Sequence, residues 1–469
     1  MTSNKTGTSN HAQDLHCPDC AESLTQELQC PACETNYPTL SGVPFLFPKP
    51  QLELARWQAR AHSEQQNLLD QRAKCEKALK HLGANASDND SSVNNSVNHT
   101  VARLEHLMGA YNDQLNCLTQ LLQPLLQNQP GSDHTTYRAM ETPGLTDTTT
   151  LFSYASNLFR DWVWGEEENQ QAINMLLKVG PQTLGKTLVL GAGGGRLAWD
   201  LAVLGAPEVT AVDINPFTSL AAQQITRRVS SDELKLWEFP LAPVSIEDTA
   251  VHRTLTAPAV ILSGTLRFIL ADARALPFAA NSFDTVVTPW FTDVVQDAPN
   301  ATAQRIHQLL AQGGHWLNFG SVAFADTNPA DCLLLPELLE LVQANGFLTP
   351  NVTEQRGPYL CSAHSRYGRT ELLHAFCAEK TELAPDTPIP SATPSQTPKW
   401  LIHPNQPIPA LEEFREQAMI TQVHAYLMSL IDGKNSIEQI AQVLEQQRLM
   451  SAREAVPVIQ GFLKKMLDR

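Results

Sequence analysis

At 469 residues the chain is too long for one ordinary domain, and its 42% apolar content is enough to bury a sizeable core. No run of eighteen or more apolar residues occurs, which excludes a spanning helix, and the start MTSNKTGTSN lacks the basic and apolar parts of a secretory signal, so the cytoplasm is the expected compartment. Thirty-three basic against 49 acidic side chains leave a net charge of −16, which opposes long-range attraction to nucleic acid or anionic lipid.

Residues 1–50 read as a compact module defined by its cysteines. CPDC and CPAC place Cys17, Cys20, Cys30 and Cys33 in two C-x-x-C pairs. Under reducing conditions such a cluster points to a metal site rather than to disulfides. Four thiolates complete a tetrahedral Zn2+ site with no open position, so the ion is expected to be structural. So short a module buries too little surface to fold alone, and the metal would supply much of its folding free energy. Redox pairs and unpaired thiols are the alternatives.

Residues 51–150 are expected to form a helical hairpin. Leu54, Trp57, Ala61, Leu68 and Leu69 mark a first helix over 51–82, and Leu104, Leu107, Met108, Tyr111, Leu115, Leu118, Leu122 and Leu125 form one stripe on a second over 101–127. The Asn-, Ser- and Asp-rich stretch 84–100 between them reads as a disordered tip. From 151 to 380 short apolar runs alternate with helical patterns, which predicts an α/β fold with a parallel sheet. Its clearest strands are TLVLG (187–191), VTAVD (209–213), FILAD (268–272), TVVTPW (285–290) and HWLNFG (315–320). A proline-rich linker (381–398) leads to a helical module at 399–469, where Ser436 stands as an N-cap three residues before Gln439.

The chemistry is concentrated at the strand ends. In TLVLGAGGGRLAWDLA a buried strand meets a glycine turn and then a helix, so Gly191, Ala192, Gly193 and Gly195 offer bare backbone to a ligand. About twenty residues on, Asp213 ends the next strand, where a carboxylate can accept both hydroxyls of a ribose. Asp272 ends the third strand, so its carboxylate and the N–H of Ala273 would face an adenine edge. This layout resembles that of the Rossmann-like class I methyltransferases, which implies S-adenosylmethionine (SAM) as the cofactor. A nicotinamide enzyme is the competing reading, but the glycines are closer together than in G-x-G-x-x-G and no second fingerprint follows.

Two narrower resemblances follow from longer blocks. CPAC with the following TNYPTLSGVPFLFP resembles the small Trm112-like zinc ribbons, which activate methyltransferases or are fused to them, and this implies a ribbon packed on its own catalytic domain. NLFRDWVWGEEE (157–168), the loop from Gly191 to Ala198, VVTPWFTDVV (286–295) and GGHWLNFG (313–320) together resemble the carnosine N-methyltransferase-like family. That resemblance implies that Arg160, assisted by Asn157, binds the carboxylate of SAM. It implies that Thr288 and Pro289 add to the cofactor site, that Asp293 contacts an amine acceptor, and that Tyr359 serves catalysis. GSVAFAD (320–326) and RTE (369–371) depart from the family's pattern, so Tyr359, His364 and Tyr367 are candidates for a different acceptor pocket. Surface pairing of Arg160 with Asp161, and Asp293 as the N-cap of the next helix, are the plain structural alternatives. IDGKNSIEQIAQ in the last module resembles PqqD-like and winged-helix domains. The expected activity is N-methylation of a small amine, a peptide or an imidazole; an RNA methyltransferase and a non-catalytic scaffold are the other readings.

Overall fold

The computed structural model describes residues 14–85, 91–127, 151–227, 233–260, 262–295, 298–324, 332–382 and 407–467. They belong to two compact units, Met1–Ala392 and Thr393–Arg469.

The first unit is built on a nine-stranded sheet. Its strands are β1 (Thr39–Leu40), β2 (Val43–Leu46), β3 (Lys186–Leu190), β4 (Glu208–Asp213), β7 (Thr265–Ala271), β8 (Phe283–Pro289), β9 (Leu310–Gly320), β10 (Asn351–Tyr359) and β11 (Arg369–Glu379). The order is β1-β2-β7-β4-β3-β8-β9-β11-β10, parallel from β2 to β9 and antiparallel at both edges. Helices α4 (Ala155–Phe159), α5 (Glu166–Val179), α6 (Arg196–Val203), α7 (Pro216–Arg227), α8 (Pro299–Leu309) and α9 (Leu335–Ala344) accompany this sheet, which makes the fold Rossmann-like. Strand order reverses between β3 and β8, and a crevice opens there at the carboxyl ends of the strands.

The N-terminal ribbon is part of this sheet. Strand β2 pairs with β7, Phe45 opposite Leu270 and Leu46 opposite Ala271. On the other side of the same loop His16 N–H donates to Pro277 O at 2.9 Å, and Leu15 bridges to Phe278. The ribbon therefore packs on the parallel sheet of the same unit, as the resemblance implied.

The hairpin helices are α1 (Pro50–Asn85) and α2 (Ser91–Leu121), followed by the short α3 (Gln123–Gln127). Leu54, Trp57, Ala61 and Leu68 are buried against Leu118, Leu122 and Leu125, and Gln58 Nε2 ties α1 to α3 by donating to Leu125 O at 2.8 Å. The expected loose tip is shorter than its composition suggested. Helix reaches Asn85 and resumes at Ser91; residues 86–90 lie outside the described residues.

A hairpin of β5 (Leu234–Glu238) and β6 (Val251–Leu255), which the sequence reading passed over, stands between α7 and β7. It docks on α2, where Gln114 Oε1 accepts from Trp237 N–H at 2.7 Å and the rings of Tyr111 and Phe239 stack at 4.9 Å.

The second unit contains α10 (Glu412–Ser429), α11 (Ile437–Gln446) and α12 (Ala452–Leu467) around Leu427, Ile440, Leu444 and Ile459. Ser436 caps α11 by accepting from Gln439 N–H, and no strand occurs among the described residues of this unit. Most of the proline-rich linker, 383–398, lies outside the described residues. Among those described, no helix is long and apolar enough to cross a membrane.

Candidate active site

The turn after β3 is held by its neighbours in the chain's parallel layer. Gly191 and Ala192 both donate to Val212 O at 3.0 Å. Gly193 N–H donates to Asp213 Oδ2 at 2.7 Å, while Asp213 Oδ1 accepts from Asn215 N–H at 2.8 Å. The first tip and the second are thus fastened together. Burial pushes the Asp213 carboxyl up from its ordinary value, opposed by the backbone N–H groups of Asn215, Gly193 and Ile214.

A second wall comes from the RDWVW segment. Helix α4 runs into a π-helical turn, Arg160–Trp164, a local widening of the kind found frequently at functional sites. Arg160 donates from Nε and Nη2 to Asp161 Oδ1 at 2.9 and 2.7 Å; Asp161 is buried and Arg160 largely so. The pair is an internal one, not the surface pair of the plain reading. Trp162 Nε1 donates to Gly194 O at 2.7 Å, and Arg196 Nη1 donates to Asp161 O at 2.9 Å, so the π-turn is clamped onto the glycine loop.

Gly194, to which the sequence reading gave no role, is where that clamp closes. A Cβ there would lie 2.6 Å from Asp161 Oδ2 and 3.2 Å from Leu158 Cδ1. Gly194→Ala is therefore expected to destabilise the unit by about 1–3 kcal/mol, the range for overpacking a filled interior. Thermal melts with and without SAM would check this; an unchanged midpoint would show that the π-turn moves without cost.

These walls enclose a cleft of about 400 Å³. Gly191, Ala192, Gly193, Asp213, Asp272, Ala273, Asn157, Arg160, Pro289, Asp293 and Tyr359 all line it. Two residues assigned to the cofactor from sequence do not. Thr288 is fully buried, its hydroxyl accepting from Trp316 Nε1 at 2.8 Å and paired with the Asn318 amide, because strand alternation turns it away from the face that Pro289 presents. Gly195 has a left-handed φ of 78° and caps α6, and a Cβ there would meet Phe268 at 2.7 Å. Its glycine serves the turn and the packing behind it.

Across the cleft from the loop, Asp293 Oδ2 accepts from Ala323 N–H at 2.7 Å. It is not a helix cap, since α8 starts after Ala298. Tyr359 packs its ring against Trp290 at 4.5 Å and accepts at its hydroxyl from Asn157 Nδ2 at 3.3 Å. Asp272 is gripped by Arg274 through Nε and Nη2, a cleft residue that the D-x-R pattern could have revealed. Glu168 also lines the cleft, and its oxygens accept from the N–H groups of Leu360 and Cys361 at 3.2 Å each. His364 and Tyr367 are not in the cleft lining: His364 pairs with Asp248 at 2.6 Å, and Tyr367 is exposed beside Arg369.

The four ribbon cysteines also converge, with all sulfurs within 4.8 Å of one another. The separations of 3.6 Å for Cys17–Cys33, 3.4 Å for Cys20–Cys30 and 4.0 Å for Cys20–Cys33 bracket the roughly 3.8 Å edge of a tetrahedron with Zn–S bonds near 2.3 Å. Tyr37 OH lies 3.0 Å from Cys17 Sγ, a polar neighbour suited to a thiolate.

Residues 188–317, from within β3 into β9, match the family described as a methyltransferase domain. The chain is similar to ribosomal RNA small subunit methyltransferase G of Rhodospirillum rubrum, 29% identical over 151 residues that cover 31% of this chain and 71% of that protein. Among solved structures it is similar to a SAM-dependent methyltransferase of Methanosarcina mazei, at 17% identity and a TM-score of 0.30 over 44% of this chain and 96% of that one. It is also similar to phosphoethanolamine N-methyltransferase 2 of Haemonchus contortus in complex with SAM, at 16% identity and a TM-score of 0.32, over 50% of this chain but only 57% of that one. The matched family covers the tips that carry Gly193, Asp213 and Asp272. Residues 188–317 thus form a methyltransferase domain, and the cleft opens at its strand tips.

Proposed function

We propose that the chain methylates a nitrogen of a small amine, a peptide or an imidazole-containing molecule, and that its ribbon holds a structural Zn2+. The observation that carries this reading is that three parallel strand tips, bearing Gly193, Asp213 and Asp272, share one cleft with Arg160, Asp293 and Tyr359. Asp213, already oriented by two N–H groups, suits the ribose hydroxyls, and Asp272 with Ala273 suits the adenine. Arg160 is the cleft cation for the amino-acid carboxylate, with Asn157 also in the lining.

Bound SAM supplies a methyl group already activated on sulfur. The protein then has to aim the acceptor nitrogen, exclude water and take up a proton. Trp290, Phe291, Phe319 and Tyr359 give the acceptor side apolar walls. Asp293, steadied by Ala323 N–H, is the carboxylate placed to orient N–H groups and accept the proton.

Asp293→Asn is accordingly expected to leave SAM affinity within twofold or so while lowering turnover by roughly 10²-fold or more. Calorimetry with SAM and a tritiated-SAM assay on size-fractionated cell extract would measure the two. Equal loss of both would move Asp293 out of acceptor handling. The similarity to an rRNA methyltransferase supports an RNA acceptor as a second reading, against which the net charge of −16 weighs. A salt-sensitive RNA shift at the cleft would favour it.

A further inference from the structure

The acceptor half of the cleft carries a feature that a site for simple cationic amines would lack. Arg369, the first residue of β11, lines the cleft and lays its guanidinium over the Tyr359 ring, 4.5 Å from the centroid. Tyr359 in turn packs on Trp290, so the aromatic face that would attract an ammonium group already bears a cation. An incoming amine with no negative group would meet like charge there. Contact with Glu371 through Nε fixes the guanidinium plane, and the side chain is 52% exposed, within reach of a ligand. A guanidinium has five N–H donors, so one that Glu371 and the Tyr367 side chain engage still keeps N–H groups for a carboxylate or phosphate. Asp293 lines the same cleft with the opposite sign.

From this pairing of charges we infer that the acceptor is a zwitterion, its methylated nitrogen directed to Asp293 and its carboxylate or phosphate held by Arg369. The inference rests on the methyltransferase reading and narrows it. Arg369 is the residue that determines specificity; it takes no part in the transfer.

Matched pairs of acceptors test it: phosphoethanolamine against ethanolamine, histidine against histamine, and β-alanine against propylamine, each with tritiated SAM and each titrated into the S-adenosylhomocysteine-saturated protein. The expected result is that a methylated compound carries the anion and that its partner without the anion has a kcat/KM at least tenfold lower. Arg369→Gln should abolish that difference mainly through KM, Arg369→Lys should restore part of it, and SAM affinity should be unchanged in both. Equal or better use of the partner without the anion would overturn the inference, as would discrimination that survives Arg369→Gln. Intact SAM binding with no methylation or binding of any anionic member would reject a small zwitterion and leave the methyltransferase reading standing. Failure to bind SAM at all would defeat that reading instead.

Discussion

Chelation of the proposed Zn2+, or replacement of buried Cys30 by serine, is expected to cripple SAM binding as well as the ribbon, raising the Kd for SAM by about tenfold or more. The reason is the route of the chain around the adenine side of the cleft. Residues 271–278 are clasped at one end by Leu46 opposite Ala271 and at the other by His16 and Leu15 on Pro277 and Phe278. Asp272 and Ala273 lie inside that clasp, and Cys17 follows His16 directly. Structural zinc contributes about 10–16 kcal/mol of apparent binding energy in small zinc-stabilised peptides, far more than one strand pairing can replace. Calorimetry with SAM before and after chelation, with released Zn2+ counted, measures both parts of the expectation. Loss of the metal without any change in SAM affinity would make the ribbon an independent module and leave the adenine loop to hold itself.

The parallel strands were legible because strands buried on both faces read as continuous apolar runs, and TLVLG, VTAVD and FILAD differ from the observed β3, β4 and β7 by three residues at most at either end. Cysteine spacing exposed the ribbon for a similar reason, since four ligands within one short stretch leave few arrangements. What escaped depends on partners distant in the chain. The β5–β6 hairpin owes its place to Gln114 and Tyr111 on α2, more than one hundred residues earlier. Gly194 looks like the variable position of its loop until Asp161 is seen against it. Thr288 failed on parity alone: one step along β8 separates a residue bonded to Trp316 in the core from Pro289 in the cleft. The pairing of Arg369 with the Tyr359 ring needed β10 and β11 to be registered residue against residue.

Asp213→Ala is expected to weaken SAM by one to two orders of magnitude while the unit stays folded. The carboxylate holds two backbone N–H groups, Gly193 at 2.7 Å and Asn215 at 2.8 Å, and its removal strands both at the edge of a buried site. Each stranded donor costs about 1–3 kcal/mol, and about 1.4 kcal/mol is a factor of ten in affinity. Asn215 also donates from Nδ2 to Leu151 O at 2.9 Å, so the start of α7 keeps an anchor and global unfolding is not the expected outcome. Asp213→Asn retains one acceptor oxygen and should fall between wild type and alanine. Because burial raises this carboxyl, SAM affinity should begin to fall with decreasing pH above the usual carboxylate range, and the Asn variant should lose that dependence. Titration calorimetry across pH, with circular dichroism to confirm the fold, separates these effects. A folded alanine variant that binds SAM as tightly as wild type would take Asp213 out of the cofactor site and, with it, the claim that three strand tips act on one ligand.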